Sequence, residues 1–514
     1  MKKFRQLTVA LSIVAAMMFS SAMALSPKRE MRSTWFTTVW GIDWPSTQGA
    51  TSSAQTKQKA EMIEYLDGFV NTNMNGSCFQ VRSMADAMYP SKHAPWSSYL
   101  TGTRGKDPGW DPLAYFVEES HKRGLEAYVW LNPYRWSTGT SWSTSYDQEW
   151  LNNDMIIAGT NTTNYKTFNP ALPETRQHIV NVVVEILENY NIDGILFDDY
   201  FYASGGTSES SSAPDYDDYK ASGTTMSIGD WRRDNVNKMV KDVYDAIQAR
   251  RPDVRFGISP AGVAGSSSYS KYGVPSPSSY GVKASDWQYA QIYSDPLAWL
   301  KAGTIDFISP QMYWPTTHST APYEPLAKWW SYVGNYFGRH FYASQESADL
   351  GDDGELSNDA NGWAEMATQT ELTRQYNKNN APGIVYYSAK YINGPEKTGL
   401  GDYMKANSFT HKALTPVVTW KTKTHYGKVT NLSSNGSTLS WDAFKNDDAI
   451  IRYTVYAIPA EFTLDDVQMS DGDGISNEYL LDVSFWSLWF SVLSQPAVLC
   501  TFAHISSSLF RTVF

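Results

Sequence analysis

The amino-acid sequence predicts an α/β protein, a (β/α)8 TIM barrel followed by a small, incomplete all-β sandwich. Short apolar segments alternate with longer helical patterns between residues 30 and 405, which is the order of elements in a parallel barrel. One segment, Gly194–Asp199, is apolar until it ends in two carboxylates, as expected of a strand buried on both faces. A doubly wound sheet is the alternative, but its Gly-rich phosphate turn is absent from the sequence.

Eight strands and the helices between them are predicted from hydrophobic periodicity. The predicted strands are Met31–Trp40, Gly76–Val81, Leu125–Leu131, Gly194–Asp199, Arg255–Ser259, Ile305–Met312, His340–Ser344 and Gly383–Ser388. The predicted helices are Lys57–Val70, Leu113–Arg123, Pro173–Tyr190, Trp231–Arg250, Leu297–Ala302, Leu326–Phe337 and Ala364–Asn377. Long loops rich in Ser, Gly, Pro and Tyr follow the fourth and fifth strands, and we expect them to wall the barrel mouth.

The N-terminus has the pattern of a secretory signal peptide. Basic residues precede an apolar run, Leu7–Phe19, and Ala22-Met23-Ala24 fits a small-residue cleavage site. We therefore exclude residues 1–24 from the fold and expect cleavage near Ala24. The mature protein is predicted to be periplasmic or secreted.

Composition excludes several classes of partner. The net charge is −11 and no Lys/Arg cluster occurs, which argues against nucleic acid binding. The two cysteines, Cys78 and Cys500, do not make a disulfide framework. No His/Cys/Asp cluster has the spacing of a metal site, so neither a metal nor another cofactor is predicted. The 20 Trp and 33 Tyr are many for a chain of 514 residues, and they gather at predicted strand ends.

The C-terminal part differs in character from the barrel. Residues 417–484 show the alternation and turn spacing of a small β-sandwich, with Trp441 placed like the core tryptophan of fibronectin type III modules. Asp471–Gly474 is interpreted as a hairpin turn, because it lacks the ligand spacing of a calcium loop. Residues 485–514 form an atypical apolar tail, interpreted as the product of a shifted or truncated reading frame. A membrane-spanning tail is the alternative, but no span is expected in the mature barrel.

The acidic residues at predicted strand ends are the candidates for acid/base chemistry. Asp198 is the first choice, because Leu196, Asp198 and Tyr200 share the strand face that suits the barrel mouth better. A bend in the strand is the alternative, and it would reverse the two faces and direct Asp199 to the mouth. Asp199 and Asp86 are the supporting candidates. A structural role as an N-cap or in a loop salt bridge is the alternative for each, and Asp86 has Arg82 nearby in sequence. Strand-end acids also include Asp43 and Glu346.

Amides, guanidinium groups and aromatic rings at the same strand ends are the candidates for substrate binding. Amides and guanidinium groups hydrogen-bond sugar hydroxyls or acidic substituents, and aromatic rings offer flat faces to sugar rings. The C-terminal ends of parallel strands meet at one face of a barrel, so we expect six side chains to line one groove together with the acids: Tyr200, Tyr134, Tyr313, Trp314, Asn132 and Arg82. The candidates are Arg82, Tyr89, Asn132, Tyr134, Arg135, Tyr200, Gln311, Tyr313 and Trp314.

These motifs together resemble the glycosyl hydrolase-like 10 family, also called DUF187. The segments that carry the resemblance are Arg32–Pro45, Gln80–Arg82, Ala85–Pro90, Trp110–Leu113, His121–Gly124, Asn132–Arg135, Phe197–Tyr200 and Pro310–Tyr313. The resemblance spans about residues 30 to 405. It implies a secreted TIM-barrel glycoside hydrolase whose substrate is a cell-wall glycan, notably the glycan strands of peptidoglycan.

Two functions agree with the sequence. The first is hydrolysis of the O-glycosidic bonds of a polysaccharide, with Asp198 as the principal catalytic carboxyl. The second is a non-catalytic glycan-binding barrel, which would keep the aromatic residues and tolerate the loss of an acid. The absence of a glutamate at the end of the fourth strand, where many retaining barrel enzymes place their proton donor, favours the second.

Overall fold

A computed structural model of the protein describes the barrel region and a few short strands beyond it. The described residues are 27, 29–137, 154–158, 166–202, 208–347, 360–377, 382–392, 399–421, 430–434, 439–442, 453–456 and 480–483. The predicted signal peptide and the apolar tail lie outside these residues.

Nine parallel strand segments form the central sheet, and three further strands form a small antiparallel sheet beside it. The segments of the central sheet are β1 (Met31–Phe36), β2 (Gly76–Arg82), β3 (Glu126–Leu131), β7 (Gly194–Phe197), β8 (Arg255–Ile258), β9 (Phe307–Ile308), β10 (His340–Phe341), β11 (Ala343–Glu346) and β12 (Gly383–Tyr387). The small sheet consists of β4 (Arg135–Ser137), β5 (Ile156–Ala158) and β6 (Lys166–Phe168).

The two ends of the central sheet are joined through Tyr342, and this closes a barrel. β10 pairs with β9, β11 pairs with β12, and only Tyr342 separates β10 from β11 in the chain. The backbone N–H of Tyr342 donates to the carbonyl of Ile308 at 3.0 Å. β10 and β11 are therefore two halves of one interrupted strand, and the predicted (β/α)8 barrel is confirmed.

Helices connect the strands on the outside of the barrel. The described α-helices are Ser52–Asn71, Ser98–Thr101, Pro112–Lys122, Pro173–Asn189, Tyr216–Ala221, Ile228–Arg250, Tyr269–Tyr272, Trp287–Gln291, Pro296–Ala302, Tyr323–Phe337, Ala360–Asn377 and Leu400–Asn407. Side chains that accept a hydrogen bond from the first turn start several of them, such as Thr51 and Ser227. The Thr51 cap explains why the first helix begins before the predicted Lys57. No described helix is both long enough and apolar enough to cross a membrane.

Two predicted strands are longer than the observed ones by four residues or more. β1 ends at Phe36 instead of Trp40, because the carboxylate of Asp43 accepts a hydrogen bond from the Thr37 N–H at 2.7 Å and turns the chain back. The sixth barrel strand is reduced to β9, Phe307–Ile308. Pro310 follows closely and has no N–H to donate to a neighbouring strand.

Apolar side chains form two separate clusters, one on each face of the barrel wall. Strand residues that point outward, such as Ile195 and Phe197, pack with helix residues in the larger cluster. Residues that point inward form the smaller cluster, which fills the barrel interior: Met31, Trp35, Cys78, Tyr128, Trp130, Leu196, Phe307, Tyr342 and Val385. The alternation along β7, with Leu196 inside and its neighbours outside, is that of a strand buried on both faces.

Glycines make room for the aromatic rings of the barrel interior. A Cβ placed on Gly194 would lie 2.1 Å from the Tyr128 ring, and one on Gly257 would lie 2.2 Å from the Phe307 ring. A Cβ on Gly383 would lie 2.2 Å from the Tyr342 ring. Each ring thus occupies the space that a side chain on the adjacent strand would need.

The segment that follows the last barrel helix packs across the strand-start end of the barrel. The Glu30 N–H donates to the carbonyl of Leu414 at 2.8 Å. Asp306 accepts a hydrogen bond from the indole of Trp420 at 2.8 Å and pairs with the ammonium of Lys421 at 2.9 Å. The contacts of the barrel therefore continue to Lys421, past the predicted end of the domain at residue 405.

Beyond Lys421 the structure describes two antiparallel strand pairs. Thr430–Ser434 pairs with Leu439–Asp442, and Tyr453–Tyr456 pairs with Leu480–Val483. Most of the region predicted as a β-sandwich lies outside the described residues. The fibronectin type III-like module consequently stays a prediction.

Replacing Gly194 with alanine tests the packing of the barrel interior. The new methyl group overlaps the Tyr128 ring, so we expect Gly194→Ala to lower the free energy of unfolding by about 1–3 kcal/mol. Urea denaturation followed by tryptophan fluorescence measures this difference.

Gly76→Ala is the matched control, because its Cβ would lie no closer than 3.4 Å to another atom, the carbonyl oxygen of Glu126. This variant is expected to be at least as stable as the wild type. Equal stability of the two variants would contradict the proposed fit between glycine and aromatic ring.

Candidate active site

A cavity of about 190 Å³ lies at the C-terminal ends of the barrel strands. Its position is the one in which TIM-barrel enzymes bind their substrates. Aromatic, amide and charged side chains share the lining: Trp35, Val39, Trp40, Ile42, Gln80, Trp130, Arg135, Asp198, Tyr200, Gln311, Tyr313 and Tyr387. A volume below the roughly 300–1,000 Å³ of drug-sized pockets matches a single sugar ring better than an oligosaccharide.

Two buried tryptophans, Trp35 and Trp130, form the cavity floor. Their ring centroids lie 4.7 Å apart with an interplanar angle of 78°. The indole N–H of Trp35 donates to the hydroxyl of Ser344 at 3.2 Å, and that of Trp130 donates to the side-chain carbonyl of Asn132 at 2.9 Å. Both polar atoms are thereby satisfied inside the protein, and the rings are fixed as apolar surfaces.

Asp198 follows β7 directly and lines the cavity above this floor. Its backbone N–H continues the sheet by donating to the carbonyl of Leu131 at 3.2 Å. The amide of Gln311 donates to Asp198 Oδ1 at 3.1 Å. Burial raises the pKa of the Asp198 carboxyl, and the positive charge of Arg135 opposes that rise.

Asp199 lies beside Asp198, and the two carboxyl groups titrate as a pair. The backbone N–H of Asp199 donates to Asp198 Oδ1 at 2.9 Å. Burial, reinforced by the negative charge of Asp198, raises the pKa of Asp199 well above its usual value. Because two adjacent buried carboxylates resist double ionisation, the pair retains a proton at pH values where a free aspartate has lost it.

The cavity walls consist of paired aromatic and charged groups. The guanidinium of Arg135, at the start of β4, lies 3.6 Å from the centre of the Tyr200 ring, a cation–π contact. Tyr313 and Tyr387 stack with centroids 5.8 Å apart and an interplanar angle of 28°. These walls give the cavity flat faces and one fixed positive charge.

Trp40 stands at the edge of the cavity and is 62% exposed. Its backbone φ is 55°, in the left-handed region that side chains other than glycine seldom adopt. An exposed indole held in such a conformation is a candidate platform for a sugar outside the cavity.

Two further carboxyl groups lie next to the lining residues. Asp43 Oδ1 accepts hydrogen bonds from the Ser388 hydroxyl at 2.7 Å and from the Lys390 N–H at 3.0 Å, and burial raises its pKa to about 6. Glu346 is the last residue of β11, and its charge contributes to the raised pKa of Tyr313. Asp43 therefore ties the turn after β1, which carries Trp40, to the segment that directly follows Tyr387 at the end of β12.

Five of the residues that we predicted from sequence lie in the cavity lining: Asp198, Arg135, Tyr200, Gln311 and Tyr313. Asp199 lies beside Asp198 behind that lining. Of the six residues predicted to line one groove, Tyr200 and Tyr313 line the cavity and the other four do not.

The structure places Asp86 and its neighbours away from the cavity lining. Asp86 Oδ1 accepts hydrogen bonds from the N–H groups of Ser83 and Met84 at 2.9 and 2.8 Å, so its carboxylate stabilises its own loop. Arg82 is buried beside His178, with 3.3 Å between guanidinium and imidazole nitrogens. Tyr89 is buried as well, beside Tyr190.

Three other predicted binding residues also point elsewhere. Asn132 is buried, accepts the hydrogen bond of the Trp130 indole and donates to the carbonyl of Ser83 at 3.1 Å, so it holds the Trp130 ring in place. Tyr134, in the turn between β3 and β4, is buried in the outer apolar cluster. Trp314 packs against the same outer cluster.

Several lining residues were missing from the residues predicted as the site. Trp35, Trp40, Gln80, Trp130 and Tyr387 lie within or just after strands that the sequence does predict. The alternation of side chains along each predicted strand could have identified them. Residues that face the barrel interior near the end of a strand also face the barrel mouth. Among the described residues, no group of His, Cys, Asp and Glu is arranged to hold a metal ion.

Comparison with known proteins identifies relatives of the whole barrel. The chain is 35% identical over 400 residues to the glycosyl hydrolase YngK of Bacillus subtilis, covering 76% of this chain and 74% of the relative. It is 32% identical over 409 residues to the glycosyl hydrolase DigH of Escherichia coli K12, covering 73% of this chain and 87% of the relative.

Among solved structures, the glycoside hydrolase domain of PgaB (BpsB) from Bordetella bronchiseptica is similar, with a TM-score of 0.45 and 12% identity. That match covers 74% of this chain and 99% of that domain. The sequence profile of the glycosyl hydrolase-like 10 family matches residues 30–359. This match and the two curated relatives show that the chain belongs to the glycosyl hydrolase-like 10 family.

Proposed function

We propose that the protein is a glycoside hydrolase that cleaves O-glycosidic bonds of a polysaccharide, with Asp198 as the principal catalytic carboxyl. The observation that carries the proposal is the position of Asp198, whose carboxyl lies in a strand-end cavity floored by two tryptophans. Flat aromatic surfaces bind sugar rings, and a carboxyl with a raised pKa supplies a proton to a leaving oxygen. Family membership supports this class of function.

The carboxyl pair supplies the proton in this proposal. Asp199 is buried behind Asp198 and helps to keep a proton on the pair, while Asp198 faces the cavity. A proton on Asp198 passes to the glycosidic oxygen as the bond between that oxygen and the anomeric carbon breaks. Gln311 stabilises the resulting carboxylate through its hydrogen bond to Oδ1. A water molecule then supplies the hydroxyl that bonds to the anomeric carbon, and the proton that this water gives up returns to the carboxyl pair.

Glycosidases need a second group to stabilise or attack the anomeric carbon, and we assign Glu346 to this role. Tyr313 and Tyr387 line the cavity together with Asp198, and Glu346 is paired with Tyr387 in the sheet register. Burial raises the pKa values of both tyrosines, and the negative charges of Glu346 and Asp198 add to the rise. These two tyrosines are therefore adjacent to both carboxylates.

For the substrate we propose a cell-wall glycan, with the glycan strands of peptidoglycan as the first to test. The predicted signal peptide would deliver the protein to the compartment that contains this polymer, so we propose a periplasmic or secreted location. The positive charge of Arg135 in the cavity wall is suited to an acidic substituent on a sugar.

Asp198→Asn should lower kcat for the release of reducing ends from purified peptidoglycan glycan strands by about 10²- to 10⁴-fold. Asparagine keeps the shape of the side chain but cannot donate a proton as an acid. Glycan binding, measured by tryptophan fluorescence, should stay within a few fold of the wild type. Retained turnover would remove Asp198 from the mechanism, whereas binding without turnover in the wild type would favour the non-catalytic glycan-binding barrel.

Asp295→Asn is the matched control for this substitution. Asp295 is also a buried carboxyl whose pKa burial raises, but it caps a helix and accepts a hydrogen bond from Tyr272 at 2.7 Å, outside the cavity lining. Its replacement should lower thermal stability and leave kcat unchanged. A loss of kcat equal to that of Asp198→Asn would show that the effect is not specific to the cavity.

Asp199→Asn should move the alkaline limb of the kcat/KM pH profile to lower pH. In the wild type the pair gives up its last proton against the negative charge of the other carboxylate, which adds to burial in raising the pKa of Asp199 well above its usual value. In the variant that last proton can lie only on Asp198, whose pKa is raised by burial without a second carboxylate, so it is lost at a lower pH. An unchanged alkaline limb would contradict the coupling. Complete loss of turnover, with an active Asp198→Asn variant, would transfer the role of proton donor to Asp199.

Glu346→Gln should reduce kcat by about 10²-fold or more while KM stays near that of the wild type. Glutamine has nearly the same size as glutamate and can still form hydrogen bonds, but it carries no negative charge to stabilise the anomeric carbon. Steady-state kinetics on the same glycan strands measures the change. A variant with wild-type kcat would assign the second role to another carboxyl.

A further inference from the structure

Gln80 stands out among the buried polar groups of the cavity because half of its amide is bonded and the other half is not. The side chain is fully buried in β2 and lines the cavity. Its Oε1 accepts hydrogen bonds from the backbone N–H groups of Thr38 and Val39 at 3.0 and 2.8 Å. Its Nε2 has no hydrogen-bond partner among the residues that the structure describes.

The orientation of this amide is fixed by its partners. Both backbone groups that face Oε1 are donors, and an amide rotated by 180° would direct its own N–H bonds at them. Nε2 therefore has to point away from Thr38 and Val39. A buried donor without an acceptor costs about 1–3 kcal/mol, and a ligand that offers an acceptor to Nε2 would remove that cost.

The described residues supply no such group, while the cavity would place a sugar next to Gln80. Trp130, on the adjacent strand β3, pairs with Gln80 in the sheet register and forms part of the cavity floor. A ring lying on this floor presents its oxygens to the surrounding wall. Oxygen atoms of a sugar are the acceptors that an uncharged amide N–H binds.

We propose that Gln80 is a substrate-binding residue, whose Nε2 donates a hydrogen bond to an acceptor oxygen of the sugar that occupies the cavity. This proposal rests on the proposed glycosidase function and deepens it by naming a donor for that site. The acceptor is either a ring hydroxyl or the carbonyl oxygen of an acetamido substituent, and both offer the same chemistry to Nε2.

The two ends of the Gln80 amide have different roles in this account. Oε1 holds the backbone of Thr38 and Val39, which precedes Trp40, and Nε2 contacts the sugar inside the cavity. Gln80 thereby connects the sugar in the cavity to the segment that carries the exposed indole. It positions this segment through one atom and binds substrate through the other.

Gln80→Glu separates the two roles. The carboxylate keeps an oxygen to accept from Thr38 and Val39, but it replaces the Nε2 donor with an oxygen that repels the acceptor on the sugar. We expect kcat/KM for peptidoglycan glycan strands to fall by about 10-fold or more. The loss should shrink as the pH falls, because a protonated glutamic acid regains a donor.

Gln80→Met is the companion variant, because it is uncharged and removes the acceptor as well as the donor. It should lose kcat/KM to a similar extent and also lower the midpoint of thermal unfolding. Gln58→Glu is the control: Gln58 is buried with its amide bonded to Leu100 and Trp110, outside the cavity lining. It should lower stability without changing KM.

Chemically de-N-acetylated glycan strands distinguish the two acceptors. The penalty of Gln80→Glu persists on these strands if the acceptor is a ring hydroxyl, and it disappears if the acceptor is the acetamido carbonyl. Wild-type kinetics in Gln80→Glu, with turnover lost only in Gln80→Met, would overturn the proposal and leave Gln80 a purely structural role. Absence of both binding and turnover in the wild type would instead overturn the glycosidase function, and this proposal with it.

Discussion

The aromatic packing inside the barrel is the constraint on which the rest of the site depends. Tyr128, Phe307 and Tyr342 fill the lower interior against glycines on neighbouring strands, and Trp35 and Trp130 lie above them as the floor of the cavity. The opening that remains at the strand ends is about 190 Å³. Smaller side chains in the barrel interior would leave a deeper cavity. The carboxyl groups at the mouth would then no longer lie next to an aromatic floor of the size of one sugar ring.

This packing also determines the electrostatics of the carboxyl pair. β7 ends at Phe197, so Asp198 and Asp199 directly follow the strand at the level of the cavity floor. Both side chains are buried and therefore shielded from bulk water. Burial is the largest cause of the raised pKa of both groups, and Arg135 opposes it. Exposed aspartates at this point of the chain would be ionised at neutral pH and would have no proton to transfer.

Much of the fold follows from the sequence because strand and helix periodicities are local signals. The alternation along Gly194–Asp199 predicts both a strand buried on two faces and the direction of Asp198, and the structure places Asp198 in the cavity. Strand ends were predicted less well. The Asp43–Thr37 hydrogen bond and the missing N–H of Pro310 shorten two strands through contacts that periodicity does not report.

The composition of the site was harder to predict than its location. We selected polar residues near strand ends by chemical type, and three of them do not line the cavity. Asp86 bonds its own loop, Asn132 supports the Trp130 ring and Tyr134 is buried in the outer apolar cluster. This selection omitted the inward-facing tryptophans, because a tryptophan in an apolar strand has the same pattern whether it fills a core or forms the floor of a cavity. Only the three-dimensional closure of the barrel distinguishes these two situations.

A crystal structure of the Asp198→Asn variant with an oligosaccharide of peptidoglycan glycan bound is the most direct measurement of the central claim, that the Trp35–Trp130 cavity is the site of glycosidic cleavage. We predict a sugar ring on this floor, with the glycosidic oxygen about 2.6–3.2 Å from the side chain of residue 198. An oligosaccharide bound only outside the cavity, or oriented with its glycosidic oxygens away from residue 198, would contradict it.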